Sequence, residues 1–258
     1  ISYQTAYLKT YYPSEFFSAS MTMDISNQNK LSEFYEDLKR LNINIIRPDI
    51  NKCFADFRAS QSNFYYALGG IKAVGYEAVS NITKERTENG NFKSINDFIN
   101  RVKPKDINKL QLEGLVKAGA FDNINSNRQS LFNSIPSLIL KSKNNFENKI
   151  ANQINLFDRD ISDEENIVED IKDWSFEERL SKEFEAVGFY ISGHPLNQFK
   201  EIFNDYKIIN FNDFNINKEI LDANIAATLL KIQERKTQKG NSYAVIKLTD
   251  LTNVFELF

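Results

Sequence analysis

The residues best suited to recognition chemistry are Gln153, Leu156 and Phe157, within the run Gln153-Ile154-Asn155-Leu156-Phe157. In an extended peptide successive side chains point to opposite sides, so Leu156 and Phe157 could fill an apolar pocket of a partner. The amide of Gln153 carries both a donor and an acceptor for backbone groups of that partner. The spacing is typical of a linear recognition motif, in which a few buried side chains carry most of the binding energy. The alternative is that Leu156 and Phe157 pack on their own domain.

A second recognition segment is the run Ile71-Lys72-Ala73-Val74-Gly75-Tyr76-Glu77-Ala78-Val79. It resembles the hairpin of a helix-hairpin-helix motif, which is usually written as an apolar residue, glycine, any residue and glycine. Tight turning there exposes consecutive N–H groups at a helix N-terminus, and such groups bind a phosphate without reading the base. The candidate DNA-binding residues are Lys72, Ala73, Val74 and Gly75. Ala73 replaces the first glycine of the pattern, so we expect it to relax or alter the turn. A core helix-turn-helix unit is the alternative.

The charge of the chain is unevenly distributed. Its net charge of −3 argues against a general nucleic-acid binder. Residues 65–117 contain nine Lys/Arg and six Asp/Glu, a net of +3, whereas residues 158–185 contain twelve acidic and four basic residues, a net of −8. The acidic segment is predicted to be a solvated face, which could also keep the peptide around Gln153 away from DNA. Four basic residues either extend a basic face beside the hairpin or are ordinary surface residues: Lys84, Arg86, Lys103 and Lys105.

The sequence shows no evident set of catalytic residues. Two-metal polymerase or nuclease chemistry requires two or three convergent carboxylates. The only close Asp-x-Asp pair, Asp158 and Asp160, lies in the acidic segment with no apolar strand beside it. The single histidine, His194, is interpreted as a helix-end or turn residue, and the single cysteine, Cys53, as a small core residue. Since a P-loop and a Gly-x-Gly-x-x-Gly pattern are also missing, the residues predict a binding and scaffolding segment.

The size of the chain fits one large or two to three small domains, with 258 residues of which 41% are hydrophobic. It contains no run of about 18 apolar residues and no signal-peptide pattern. A single cysteine fits a reducing cytosol. Because the chain begins at Ile1 without a methionine and ends at Phe258 in a β-like run, we expect it to be a piece of a longer protein.

Apolar periodicity predicts a mainly α fold with a partial β region. Helices are predicted at residues 6–12, 15–21 with Ser14 as its cap, 28–41, 95–102, 107–118 with Gly119 as its cap, 128–141 and 174–191. Residues 71–88 are predicted to form a helix, a hairpin and a helix. Strands are predicted at residues 44–48, 224–230, 242–248 and 254–258, with a turn at 239–241 and a short extended run near residue 64. Three strands are too few for a closed barrel, so the last domain is predicted to be truncated.

Several segments in a fixed order carry a resemblance to a known family. They are Ala6-Tyr7-Leu8-Lys9 with Tyr12-Pro13-Ser14-Glu15-Phe16, Arg47-Pro48-Asp49-Ile50-Asn51, Leu68-Gly69-Gly70-Ile71-Lys72-Ala73-Val74-Gly75, Leu115-Val116-Lys117-Ala118-Gly119-Ala120-Phe121-Asp122, Gln153-Ile154-Asn155-Leu156-Phe157, and Gly188-Phe189-Tyr190-Ile191-Ser192-Gly193-His194-Pro195-Leu196. Together they cover essentially the whole chain. In this order the chain resembles the alpha subunits of bacterial DNA polymerase III, the replicative C-family polymerases.

The resemblance implies three domains and two binding sites. Residues 1–60 would be the C-terminal part of the fingers domain, 61–205 the helix-hairpin-helix and clamp-binding domain, and 206–258 the start of a truncated OB-fold domain. Gln153, Leu156 and Phe157 would bind the sliding clamp, the beta subunit of the replicase. The hairpin from Lys72 to Gly75 would contact the duplex backbone behind the active site.

The resemblance also implies partners and missing parts. The palm domain with its catalytic aspartates and the phosphoesterase-like domain lie outside these residues. Template-directed synthesis with Mg²⁺ would therefore belong to the longer polymerase, and this segment is expected to hold no cofactor and to be inactive alone. The expected partners are DNA, the sliding clamp and other replicase subunits, in the cytoplasm and without a membrane. The alternative is a general nucleic-acid-binding scaffold that uses the hairpin and the OB strands and makes no clamp contact.

Overall fold

The computed structural model describes residues 2–60, 63–150, 171–237 and 240–258. The chain divides into two compact units, residues 1–191 and 192–258, and most of its buried hydrophobic side chains belong to the first. The fold is mainly α with small β regions, as the apolar pattern predicts. The predicted domain boundaries after residues 60 and 205 lie inside these two units and stay predictions. Within the described ranges, no helix is both long and apolar enough to cross a bilayer.

The first three helices are α1 (Ser2–Tyr11), α2 (Pro13–Met23) and α3 (Gln28–Arg40). The predicted cap at Ser14 is wrong, because α2 begins at Pro13, two residues before the predicted start at Glu15. Its N-cap is Tyr12, whose side chain makes no capping hydrogen bond. Proline suits this position, since its missing N–H would have had no helical partner. The helix α3 begins after Asn27, whose side chain accepts from the N–H of Lys30.

A small sheet joins this helical region to the hairpin region. Its strands are β1 (Asn44–Ile46), β2 (Arg58–Ser60) and β3 (Asn63–Tyr65), in the order β1-β3-β2. Strand β3 pairs in parallel with β1 and antiparallel with β2. The predicted strand at residues 44–48 is confirmed for its first three residues. Strand β2 was not predicted, because only three residues of mixed exposure carry it.

The central region contains two helical pairs. A 3-10 turn at Leu68–Gly70 precedes α4 (Tyr76–Asn89), and α5 (Ile95–Arg101) precedes a 3-10 turn at Pro104–Asp106 and α6 (Lys109–Lys117). The prediction of two helices within residues 71–88 is wrong, since the first is a 3-10 turn that lies before Ile71. The predicted helix at 107–118 begins at Lys109 instead, because the Asn108 side chain caps it. Gly119 has a φ of +78°, as a helix-terminating glycine requires, so its predicted role is confirmed.

Two further helices complete the first unit: α7 (Arg128–Ile150) and α8 (Phe176–Val187). Helix α7 continues past the predicted end at residue 141 and contains Pro136. Helix α8 starts after Ser175, which forms a capping box with Glu178, and it ends at Gly188 with a φ of +93°. The predicted continuation to residue 191 is wrong, because this left-handed glycine terminates the helix.

The second unit combines short helices with an antiparallel sheet. Its helical elements are a 3-10 turn at Pro195–Phe199, α9 (Lys200–Phe203) and α10 (Phe211–Ile216). Its strands are β4 (Thr228–Lys236), β5 (Ser242–Thr249) and β6 (Val254–Leu257), paired in that order. The first strand begins four residues after the predicted start and extends further. The rings of Phe211 and Phe255 stack with centroids 4.0 Å apart and fix α10 against β6.

Candidate nucleic-acid interface

The hairpin, here residues 71–75, begins with a tight turn. The N–H of Val74 donates to the carbonyl of Ile71 at 3.2 Å. Ala73, in the third position of this turn, has a φ of +61°. A type II turn requires a positive φ at this position, which normally selects glycine. The expected relaxation of the turn is therefore wrong, because alanine adopts the backbone conformation that the pattern's glycine would have.

The four candidate DNA-binding residues differ in their exposure to solvent. Lys72, Ala73 and Gly75 are exposed, whereas the Val74 side chain is 8% exposed and belongs to the core cluster. Val74 therefore anchors the hairpin, and only its backbone is available on the outer side.

The amide groups that follow the hairpin have no partner among the described residues. Gly75 is the N-cap of α4, with φ −71° and ψ 129°, and it has no side chain to accept their hydrogen bonds. The first backbone bond of the helix runs from the N–H of Val79 to the carbonyl of Gly75 at 3.1 Å. The N–H groups of Tyr76, Glu77 and Ala78 thus point out of the first turn, where the helix dipole also favours an anion. This end of α4 is a ready acceptor site for a phosphate oxygen.

Helix α8 holds the hairpin from one side. The backbone N–H of Lys72 donates to the carbonyl of Ala186 at 2.9 Å, and its Nζ donates to the carbonyl of Glu185 at 3.1 Å. Lys117 of α6 forms an ion pair with the Glu185 side chain at 2.8 Å. The hydrogen bond from Lys117 lowers the pKa of this carboxyl. The predicted phosphate contact of Lys72 is therefore accompanied by a structural contact with the C-terminal turn of α8.

Helix α6 contacts the hairpin from another side through Gly114 and Gln111. A Cβ atom on Gly114 would lie 2.8 Å from the carbonyl oxygen of Lys72, so only glycine allows this approach. The side-chain nitrogen of Gln111 lies 3.0 Å from the place that a Cβ atom on Gly75 would take. Gln111 was not predicted as a site residue, although its spacing from Asn108 is that of a capping box and was readable in the sequence.

The proposed basic face is only partly present. Arg86 is 6% exposed and donates to the carbonyls of Ile50 (2.7 Å) and Cys53 (2.6 Å), so it is a core residue and not a DNA contact. Lys84, Lys103 and Lys105 are exposed and line a polar cleft of about 180 Å³ together with Glu85, Glu88, Asp106 and other residues. Because the acidic side chains offset the lysines, this cleft is not a strongly positive surface.

An acidic side chain lies close to the start of α4. The hydroxyl of Tyr76 donates to Asp56 Oδ2 at 2.9 Å, and this hydrogen bond raises the pKa of Tyr76. The guanidinium of Arg58, on the strand next to Asp56, stacks 3.8 Å above the ring of Phe54. Tyr76 is therefore fixed at the first helical position with its hydroxyl engaged.

The remaining candidate residues lie in different places and make different contacts. Gln153, Leu156 and Phe157 lie outside the described residues, as do Asp158 and Asp160. Cys53 is fully buried, its Sγ donates to the carbonyl of Arg47 at 3.1 Å, and burial raises its pKa to about 12, as suits a core residue. His194 accepts from the N–H of Leu196 at 3.1 Å through Nδ1 and caps the 3-10 turn that follows, which confirms its interpretation as a turn residue.

In the part of the chain that the structure describes, no group of three or more His, Cys, Asp or Glu residues could hold a metal ion.

Comparison with known proteins first defines the class. Residues 42–131 match the helix-hairpin-helix motif family, and this range contains the hairpin, α4, α5 and α6. The turn, the unpartnered amides and the paired helices thus belong to a helix-hairpin-helix region.

Curated relatives then define the family. The chain is 35% identical to the DNA polymerase III subunit alpha of Caulobacter vibrioides over 259 residues, which is 100% of this chain and 23% of the relative. It is 40% identical to the subunit of the same name from Borreliella burgdorferi over 214 residues, 81% of this chain and 19% of the relative. The Campylobacter jejuni subunit is 37% identical over 269 residues, 99% of this chain and 22% of the relative. The chain belongs to the DNA polymerase III alpha subunit family and spans about a fifth to a quarter of these relatives.

Proposed function

We propose that this chain binds the phosphate backbone of duplex DNA through the hairpin and the first turn of α4. The proposal depends on the N–H groups of Tyr76, Glu77 and Ala78, which have no partner among the described residues and directly follow the tight turn at Ala73. Membership of a DNA polymerase family supports DNA, a polyanion, as the partner of these donors. Backbone donors read no base, so the contact positions a duplex without selecting its sequence.

The variant Gly75→Asp tests this proposal at the start of α4. The dihedral angles of Gly75, −71° and 129°, are those of a normal N-cap, so the backbone accepts aspartate and its carboxylate accepts from the amides of the first turn. The new Cβ atom would lie 3.0 Å from the side-chain nitrogen of Gln111, so the Gln111 side chain has to move by a few tenths of an ångström. We expect the free energy of unfolding to stay equal or rise by a few tenths of a kcal/mol. We expect the affinity for a short labelled duplex at low salt to fall by about tenfold or more, because the donors are occupied and the new charge repels phosphate.

Two matched variants separate the causes. Gly75→Asn occupies the same donors without adding charge and should lose less affinity than Gly75→Asp. Gln4→Glu adds one negative charge on the exposed surface of α1, which makes none of the hairpin contacts, and should bind DNA nearly as well as the wild type. Unchanged duplex affinity of Gly75→Asp would refute the proposal.

We also propose that Gln153, Leu156 and Phe157 bind a sliding clamp. Support comes from the spacing of these residues and from the polymerase family of the chain. The double variant Leu156→Ala/Phe157→Ala should lose most of its affinity in a titration against the clamp, since apolar burial supplies the binding energy. The matched control Ile154→Ala removes a neighbouring apolar side chain and should bind normally. Equal affinities for the double variant and the wild type would reject a clamp contact.

The activity of the longer protein is a further part of the proposal. A polymerase of this family would carry out template-directed DNA synthesis with Mg²⁺ in the cytoplasm, as one subunit of a replicase. Residues 1–60, 61–205 and 206–258 would supply parts of its fingers, clamp-binding and OB-fold domains. The competing function, a general nucleic-acid scaffold that uses the hairpin and the OB strands, requires tight binding of single strands that the Leu156→Ala/Phe157→Ala variant does not weaken.

A further inference from the structure

We infer that Gln111 is an additional phosphate-binding residue of the hairpin site, which donates from its side-chain amide to the phosphate held at the start of α4. The inference rests on the proposed DNA contact of the hairpin and extends it to a residue of the neighbouring helix, α6. Its basis is the position and the orientation of the Gln111 side-chain amide, whose nitrogen has no partner among the described residues.

The capping box of α6 fixes the orientation of this amide. The N–H of Gln111 donates to Asn108 Oδ1 at 2.9 Å, and the N–H of Asn108 donates to Gln111 Oε1 at 3.3 Å. Only the amide oxygen can accept the second bond, so the other terminal atom is the NH₂ group with its two donors. The capping box therefore directs the nitrogen of Gln111 away from Asn108.

The nitrogen of Gln111 is aimed at the hairpin. It lies 3.0 Å from the place that a Cβ atom on Gly75 would take, next to the residue that caps α4. Gly75 leaves this space open, and the amides of the first turn of α4 follow it directly. A phosphate oxygen seated at the N-terminus of α4 would thus be reached both by backbone N–H groups and by the side-chain NH₂ of Gln111.

The amide nitrogen of Gln111 has no hydrogen-bond partner in the part of the chain that the structure describes, although the residue is only 9% exposed. The nitrogen is not one of the fully buried side-chain atoms that lack a partner in the described residues, so solvent reaches it and a ligand can take the place of water at this donor. The ligand class is a phosphate diester, because the adjacent donors are helix N-terminal amides and an anion satisfies both sets.

The closing experiment compares duplex binding at low salt for Gln111→Glu, Gln4→Glu and Gly75→Asp in the full 258-residue chain. Glutamate at position 111 keeps the capping-box acceptor and the side-chain shape, but it replaces the NH₂ donor with a carboxylate oxygen. We expect Gln111→Glu to lose affinity by about tenfold, since a charge-assisted bond is lost and a repulsion is gained. Gln4→Glu carries the same added charge and should lose less than about twofold.

A second variant, Gln111→Met, separates the loss of the NH₂ donor from the effect of an added charge. Methionine is similar in length and adds no charge, but it removes the capping-box acceptor for the N–H of Asn108. Thermal unfolding of each variant therefore establishes that it is folded. We expect a loss of several-fold for Gln111→Met, smaller than that for Gln111→Glu. If Gly75→Asp weakens binding while both Gln111 variants bind like the Gln4→Glu control, the role of Gln111 is overturned and the hairpin contact stands. If Gly75→Asp also binds normally, the hairpin contact is overturned together with this inference.

Discussion

The Nζ atom of Lys72 donates to the carbonyl oxygen of Glu185 at 3.1 Å, across 113 positions of the sequence. The backbone of the same lysine donates to Ala186, so the hairpin is held by the C-terminal turn of α8 at two points. The carbonyls in the last turn of a helix have no helical partner and carry partial negative charge. Lys72 therefore acts as a positioning residue of the hairpin in addition to any contact with phosphate.

Replacing Lys72 with methionine tests this positioning role. The variant keeps the apolar stem but loses the donor to Glu185, so we expect the free energy of unfolding to fall by about 0.5 to 1 kcal/mol in a urea titration. Lys105→Met is the matched control, because Lys105 is exposed and no hydrogen bond or ion pair of its side chain is found among the described residues. Equal stability of the two variants would show that the Lys72 bond contributes nothing.

Ala73→Gly should stabilise the protein. An L-residue at a φ of +61° is strained by about 1 to 2 kcal/mol, and glycine relieves this strain while it increases the entropy of the unfolded chain. The expected net gain is about 0.5 to 1 kcal/mol. Ala67 has an ordinary φ of −77°, so the same replacement there should destabilise the chain instead. A loss of stability on Ala73→Gly would contradict the strained turn.

Gly114→Ala combines a stabilising effect and a destabilising effect. The sign of the measured change in the free energy of unfolding shows which of the two is larger. Helix propensity alone would make alanine more stable than glycine by about 1 kcal/mol. The new Cβ atom would lie 2.8 Å from the Lys72 carbonyl and 3.0 Å from Val74 Cγ2, so we expect overpacking to win and to cost a net of about 1 to 2 kcal/mol. Chemical denaturation measures this change, and a stability gain would mean that the hairpin does not pack on α6 as described.

Cys53 should be unreactive in the folded protein. Burial raises the pKa of its thiol from its ordinary value to about 12, so the thiolate is scarce at neutral pH. We expect a thiol-labelling reagent to react much faster with urea-unfolded protein than with native protein. The raised pKa also means that the associated stability is fully present below about pH 9 and is lost as the pH rises toward 12. Equal labelling rates in the two states would contradict the burial.

The sequence predicts the local features of this fold better than its long-range contacts. The helix start at Gln28, the strand at Asn44 and the terminating role of Gly119 follow from spacing, caps and glycine chemistry, and they are found where predicted. The predicted ends of helices were less accurate, as the start of α2 and the end of α8 show. A proline in the first turn and a left-handed glycine at the end shift these boundaries by a few residues.

The candidate site was predictable only in part, because some of its contacts join residues that are far apart in the sequence. The run from Lys72 to Gly75 identifies the hairpin, but the partner of Lys72 lies 113 positions away and no local pattern reveals it. Arg86 was assigned to a basic face, yet its two bonds to the carbonyls of Ile50 and Cys53 make it a core residue. Tertiary packing decides which charged side chains face solvent, and spacing along one helix does not.

The most direct test of the central claim is a titration of ¹⁵N-labelled protein with a short DNA duplex, followed by amide chemical shifts. The account predicts that the amides of Tyr76, Glu77 and Ala78 shift most and in proportion to the fraction bound, and that added salt reverses the change. Binding of the duplex with these three amides unmoved, and with shifts concentrated elsewhere, would contradict it.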